Sequence, residues 1–126
     1  MWLEIPGHNK HSKLLLSTIY RSECILDYKT WMEQFENLLT HLTTEWDGAL
    51  LIMGDFNIYL LDRHSAIVVQ YNNMLDSYSL HRHVKVPTCI TSKLSMLIDH
   101  IVCNVPNRVT YTNVFPCPTV SDHDAP

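Results

Sequence analysis

The sequence predicts a single α/β domain with a mixed sheet packed as a sandwich, and three observations carry that prediction. Short apolar runs with strand character interleave with two stretches whose apolar residues follow helical three-and-four spacing. A tight turn signal separates the first two strand-like runs, so a hairpin is expected beside the longer crossovers. No internal repeat, low-complexity tract or linker divides residues 1–126, so one domain is the simplest organisation.

The elements follow in order. Residues 2–5 alternate weakly and read as a strand, Pro6-Gly7-His8-Asn9 turns the chain, and residues 13–20, rich in Leu, Ile and Thr, return as a second strand. Residues 21–27 form a loop in which Asp27 is placed to cap a helix over 28–44. Its apolar face is Trp31, Phe35, Leu38, Leu39 and Leu42. Asp47-Gly48 ends it, and the run Leu50-Leu51-Ile52-Met53 reads as a buried strand. A loop over 58–62 leads to a second helix over 64–80, with Ile67, Val68, Tyr71, Met74, Leu75 and Tyr78 on one side. Residues 84–86 read as a short strand closed by Pro87, and 97–103 as an apolar strand interrupted by Asp99 and His100. Residues 106–108 turn the chain, and 109–115 alternate as a last strand.

Composition excludes several classes. With 46% apolar and 17% charged residues the chain is neither disordered nor fibrous. The longest apolar runs, 14–16 and 49–53, are far too short to cross a bilayer, and Glu4 close behind Met1 fits no secretory leader, so no membrane partner is expected. The formal net charge is -4, with Arg82 and Lys85 the one loose basic cluster, which disfavours strong independent DNA binding. Cys24, Cys89, Cys103 and Cys117 form no CxxC pair; reduced thiols of an intracellular protein are the simpler reading beside structural disulfides. His81 and His83 alternate, but no third ligand lies near them in sequence, so they read as ordinary surface or half-buried histidines rather than a metal pair.

Three polar stations break apolar strands. Gly54-Asp55-Phe56-Asn57 ends the buried strand with a carboxylate and a carboxamide two residues apart, which an extended backbone would project from one face. A charge straight after a core strand must be solvated, paired or metal-bound, because an unpaired buried carboxylate is very costly. Ser95-Met96-Leu97-Ile98-Asp99-His100-Ile101 places Asp99 inside an apolar run, and Ser121-Asp122-His123 ends another extended segment with a carboxylate beside an imidazole. Singly, each is as well explained by a turn or cap residue. Together, three carboxylates, an amide and a histidine suit metal-assisted phosphoryl chemistry, and the hard oxygen ligands suit Mg²⁺ or Mn²⁺.

The ordered set of these stations resembles the endonuclease/exonuclease/phosphatase superfamily, which includes DNase I-like nucleases and apurinic/apyrimidinic endonucleases. The nearer resemblance is to the endonuclease domain of LINE-type (non-long-terminal-repeat) retrotransposon proteins. Thr18-Ile19-Tyr20-Arg21-Ser22 is similar to their tyrosine-arginine-proline segment, with Ser22 in place of the proline, and Asp62 and Pro87-Thr88 stand in similar contexts. The resemblance implies that Asp55 positions or deprotonates the attacking water and that Asn57 orients Asp55 and the phosphate. It implies that Asp122 sits at the metal site, that His123 bonds a phosphate oxygen and is held by Asp99, and that Tyr20 touches the phosphate or leaving group.

The family pattern also has an asparagine strand and a metal-binding glutamate ahead of the segment where this sequence opens, and a strand after the Ser-Asp-His motif. The expectation is therefore a partial DNase I-like α/β sandwich, truncated at both ends, with weak Mg²⁺ binding and little activity alone. DNA would be the partner of a longer parent, in the nucleus if chromosomal DNA is the substrate. Two alternatives stay open. One is a non-catalytic interaction remnant that self-associates through an exposed sheet face. The other is a different branch of the superfamily, such as a phosphoinositide phosphatase or sphingomyelinase.

Overall fold

The structure is a computed structural model and describes residues 1–116 apart from Lys10 and Ser92. The turn predicted after the first strand forms around Asn9, whose side-chain oxygen accepts the backbone N–H groups of His11 and Ser12 at 2.9 and 3.1 Å. It folds β1 (Trp2–Ile5) back antiparallel on β2 (Leu14–Tyr20), with Trp2 opposite Ser17 and Ile5 opposite Leu14.

Helix α1 (Tyr28–Glu45) starts where expected, because the Asp27 carboxylate accepts the Thr30 N–H at 3.0 Å and the Thr30 hydroxyl at 2.6 Å. Those two bonds favour the ionised form and hold the Asp27 carboxyl below its ordinary value. Trp31, Met32, Phe35 and Leu39 are the buried face. The crossover delivers β3 (Ala49–Asp55) parallel to β2, in unbroken register from Leu14 opposite Ala49 to Tyr20 opposite Asp55.

Helix α2 (Ala66–Ser77) is shorter than the predicted 64–80. Ser79 adopts a left-handed φ of 54°, and the Leu80 N–H returns to the Leu75 carbonyl at 2.9 Å, a closing turn that stops the helix. Beyond it lie β4 (His81–Arg82), the small hairpin of β5 (Cys89–Ile90) and β6 (Ser95–Met96), β7 (Asp99–Cys103) and a 3₁₀ turn at Pro106–Arg108.

The main sheet has the order β1-β2-β3-β7-β4; β2 and β3 are parallel and the other neighbours antiparallel, so the predicted mixed sheet is present. Two predicted strands are corrected. The pairing expected at 84–86 lies earlier, at His81–Arg82, with one further bond from the His83 N–H to the Ile101 carbonyl. There Val84 turns into the core, and Pro87 brings no N–H to a ladder. The alternation at 109–115 forms no strand beyond an isolated bridge at Phe115; the stretch instead walls a cavity with residues 81–86.

Leu50 and Ile52 of β3 and Val102 of β7 share one core cluster with Trp31, Phe35 and Leu39 of α1 and Val68, Tyr71 and Leu75 of α2. Full burial of each such side chain contributes about 1.5–3 kcal/mol. Phe56, fully buried just after β3, meets both helices: its ring lies 5.9 Å from Trp31, 5.7 Å from Phe35 and 6.0 Å from Tyr71, edge-on in each case. The opposite face of the sheet is less covered, with Leu14, Leu16, Leu51 and Met53 half-buried and Leu3 and Ile5 exposed.

Candidate active site

The register of the sheet aligns three of the predicted site residues. Tyr20 stands opposite Asp55, and Asp55 stands opposite Asp99, so they form one row across β2, β3 and β7. Residues directly opposed in a ladder project to the same face, with Cα atoms roughly 4.5–5.5 Å apart. Ile52, Gly54, Val102 and His100 belong to the helix-covered face; the intervening positions, and with them the row, therefore lie on the other face. The row sits where β2 and β3 end and β7 begins, with Tyr20 exposed and both aspartates half-buried.

Gly54 makes this close row possible. Its φ is +138°, and a Cβ there would lie 1.8 Å from the Ile19 carbonyl oxygen, so no other residue fits. The side-chain alternation expected to carry Asn57 onto the same face as Asp55 does not extend that far. The strand ends at Asp55, and Asn57 takes a left-handed φ of 49°. Its backbone N–H, rather than its carboxamide, binds Asp55 Oδ1 at 2.9 Å, a local turn typical of Asp. Its carboxamide nitrogen donates to the Arg21 carbonyl at 2.7 Å and ties the turn to the exit of β2.

Arg21 answers from the other side. Its N–H donates to the Asp55 carbonyl at 2.8 Å, and its guanidinium Nη1 donates to the carbonyl of Asn57 at 3.0 Å. The guanidinium is buried, stacks over the rings of Tyr28 and Trp31 at 5.7 Å each, and lies 3.7 Å from Glu23. In the sequence Arg21 stands only within the Tyr20-Arg21-Ser22 segment, with no role of its own. The available signal was the one used for Asp55: a charge straight after an apolar strand must find partners.

Asp99 is held through its backbone. The fully buried Thr88 hydroxyl oxygen accepts the N–H groups of Asp99 at 3.1 Å and Ile98 at 3.4 Å, while the Phe56 N–H donates to the Ile98 carbonyl at 3.0 Å. The turns bearing Asp55 and Asp99 are thereby tied to each other. His100, the next residue, faces the core, stacked on Phe56 at 4.8 Å and 17°. Its Nε2 lies 3.1 Å from the Ile58 carbonyl and its Nδ1 3.0 Å from the Tyr71 hydroxyl. A carbonyl only accepts, so the neutral ring carries its proton on Nε2 and Tyr71 donates to Nδ1. Burial is the main cause that pushes the His100 pKa down to about 3 and the Tyr71 pKa far up.

Asp122 and His123, and Cys117 with them, lie outside the described residues. Among the described residues no three of His, Cys, Asp or Glu gather in a group fit to hold a metal. Cys24 is exposed and Cys89 and Cys103 are buried, and no described helix is long and apolar enough to cross a membrane.

A mixed sheet with its helices on one face and a polar row on the other defines an α/β fold of the DNase I-like kind. Among solved structures the chain is similar to the endonuclease domain of TRAS1, a telomere-specific non-LTR retrotransposon, with a TM-score of 0.71 over 98% of this chain. The match spans 59% of that domain's chain at 17% sequence identity, so the likeness establishes the fold. No protein-family model matches the chain. No curated protein sequence matches it either.

Proposed function

We propose that this chain is part of a metal-dependent endonuclease domain of retrotransposon type, which cuts a phosphodiester bond in DNA. The observation that carries the reading is the row Tyr20–Asp55–Asp99, in register across three strands of a sheet whose fold neighbour is an endonuclease domain. Asp55 would orient or deprotonate water, braced by the Asn57 N–H, and Tyr20 would meet the phosphate or leaving group from the strand beside it. Asp99 would hold His123, and His123 would bond a phosphate oxygen.

Asp55 and Asp99 stand opposite one another in register, and their hard carboxylate oxygens fit Mg²⁺ or Mn²⁺. Asp55 and Asp99, with Asp122, are the residues that would hold it. When bound, a divalent cation supplies neutralisation of phosphoryl charge. An ion of this kind takes about six oxygens, so its binding by these carboxylates would be weak and nicking by the 126 residues alone slight.

The test has two parts. Mn²⁺ titrated into isotope-labelled protein should broaden the amide resonances of Tyr20, Asp55 and Asp99 first, and Asp55→Ala should remove the effect; uniform broadening would refute the metal site. Supercoiled plasmid incubated with the chain and Mg²⁺ should stay intact. Nicking that disappears in Asp55→Ala would disprove the low activity while supporting the chemistry.

A second reading is favoured by a separate observation. The strand β1 is exposed along its whole length, with Leu3 53% and Ile5 40% accessible, which suits an interaction module that pairs with a second copy.

A further inference from the structure

The sequence, with its net charge of -4 and scattered cations, shows no basic face, yet the fold assembles one. Arg63, from the loop ahead of α2, comes to the same cavity as Arg82 and Lys85. Three cavities of about 580, 420 and 350 Å³ adjoin at Arg82, which lines all of them. The first lies between residues 81–86 and 109–114, two walls joined by the Thr112 hydroxyl, which donates to the His83 carbonyl at 3.2 Å. Asp76, in the third cavity, is the one carboxylate among the described lining residues.

Arg63, Arg82 and Lys85 are all exposed, and among the described residues none of them forms an ion pair. The side-chain oxygen of Asn72, which lines the second and third cavities, is buried without a hydrogen-bond partner. At the rim of the first cavity the Tyr111 ring is 73% exposed. The cleft also has a direction. The His83 N–H bonds the Ile101 carbonyl, and Thr88 bonds the Asp99 N–H, so the segment from β4 to Thr88 runs alongside β7 toward the Asp99 end of the row.

We infer that this cleft binds the phosphodiester backbone of a nucleic-acid strand, with phosphates on Arg63, Arg82 and Lys85 and a base stacked on Tyr111. Arg82 and Lys85 carry the positive charge of the second cavity into the first, beside an exposed ring, which fits a polyanion bearing bases whose π-faces stack whatever their sequence, where a single phosphate would leave the ring idle. An acidic peptide would use the cations and leave the ring idle. The choice of a nucleic acid rests on reading the aspartate row as a phosphodiester site; the geometry of the cleft does not.

The test is fluorescence anisotropy of a labelled single-stranded oligonucleotide with the whole 126-residue chain in EDTA. Binding should weaken steeply with salt. Arg82→Glu and Lys85→Glu should each weaken it about tenfold at low salt, and each should flatten the log–log salt slope by roughly 0.7, the value for one phosphate contact on a single strand. Tyr111→Ala should weaken binding with the salt slope unchanged. Lys29→Glu, the same change of charge on an exposed position of α1, should leave binding unaltered.

Equal weakening by Lys29→Glu would reduce the effect to net charge and overturn the inference. So would full displacement of the oligonucleotide by polyglutamate at equal charge concentration, or unchanged affinity in both Lys85→Glu and Arg63→Glu, surface changes that leave the core intact. Because no metal is present, a failed metal site would leave these affinities as expected, and a failed cleft would leave the Mn²⁺ result as expected.

Discussion

His100 shows how one residue couples the core to the site. It sits next to Asp99 in sequence yet points the other way, into the aromatic cluster, where it stacks on Phe56 and takes the Tyr71 hydroxyl bond. Burial holds its pKa at about 3, well below the value of an exposed imidazole. The unfolded chain binds a proton at this position near pH 6.5 and the folded chain does not, so stability is full above that pH and falls as the pH drops from about 6.5 toward 3. The contribution lost by pH 5 is about 2 kcal/mol. Urea unfolding at pH 7 and pH 5 should show this loss, and His100→Phe, which keeps a stacked ring, should show a shallower decline. The His100 ring resonances should hold still between those pH values; a titration near the ordinary imidazole value would sink the assignment.

At the scale of elements, the question is what aligns the start of β7 with the end of β3. The sheet register sets Asp55 opposite Asp99, but Ile98 precedes the strand and depends on Thr88, which stands just before β5. Thr88→Val keeps the branched shape and removes the oxygen that accepts two N–H groups. The expected loss is about 1–3 kcal/mol, measured by urea unfolding, whereas Thr88→Ser should cost less than half as much because the acceptor survives. A loss in Thr88→Ser with little or none in Thr88→Val would show that packing of the methyl group, and not the hydroxyl, holds Asp99.

The same scale explains what was readable in the sequence. Helix α1 was legible because its apolar spacing and the Asp27 cap agree, and the first hairpin because its turn chemistry is local. Residues 109–115 misled, since alternation alone cannot supply the partner strand that a ladder needs. Asp55 and Asp99 were legible as charges interrupting apolar runs. Arg21, Thr88 and the cleft around Arg82 were not, because each acquires its role from residues far away in the chain: Arg21 from Asn57, Thr88 from Asp99, Arg82 from Arg63.

For the whole molecule, the uneven covering of the sheet is the main consequence of the fold. Both helices bury the face of Leu50, Ile52 and Val102, while the face bearing the row also carries Leu3, Ile5, Leu14, Leu16, Leu51 and Met53, all exposed or half-buried. β1 stands at the edge of the sheet. Strand-to-strand pairing at that edge is discouraged by the shortness of β1, by the charge of Glu4 and by Pro6 directly after it. Association should therefore proceed through the apolar face rather than the open edge, with the net charge of -4 opposing it at low salt. In sedimentation velocity the mean sedimentation coefficient should rise with loading concentration and rise further with added salt. Leu3→Lys, at an exposed position of that face, should shift the curve back toward the monomer, while Glu4→Gln, on the edge, should change it little. One boundary at the monomer value over the whole concentration range, with and without salt, would remove the self-associating reading and leave the uncovered face without a second copy as its partner.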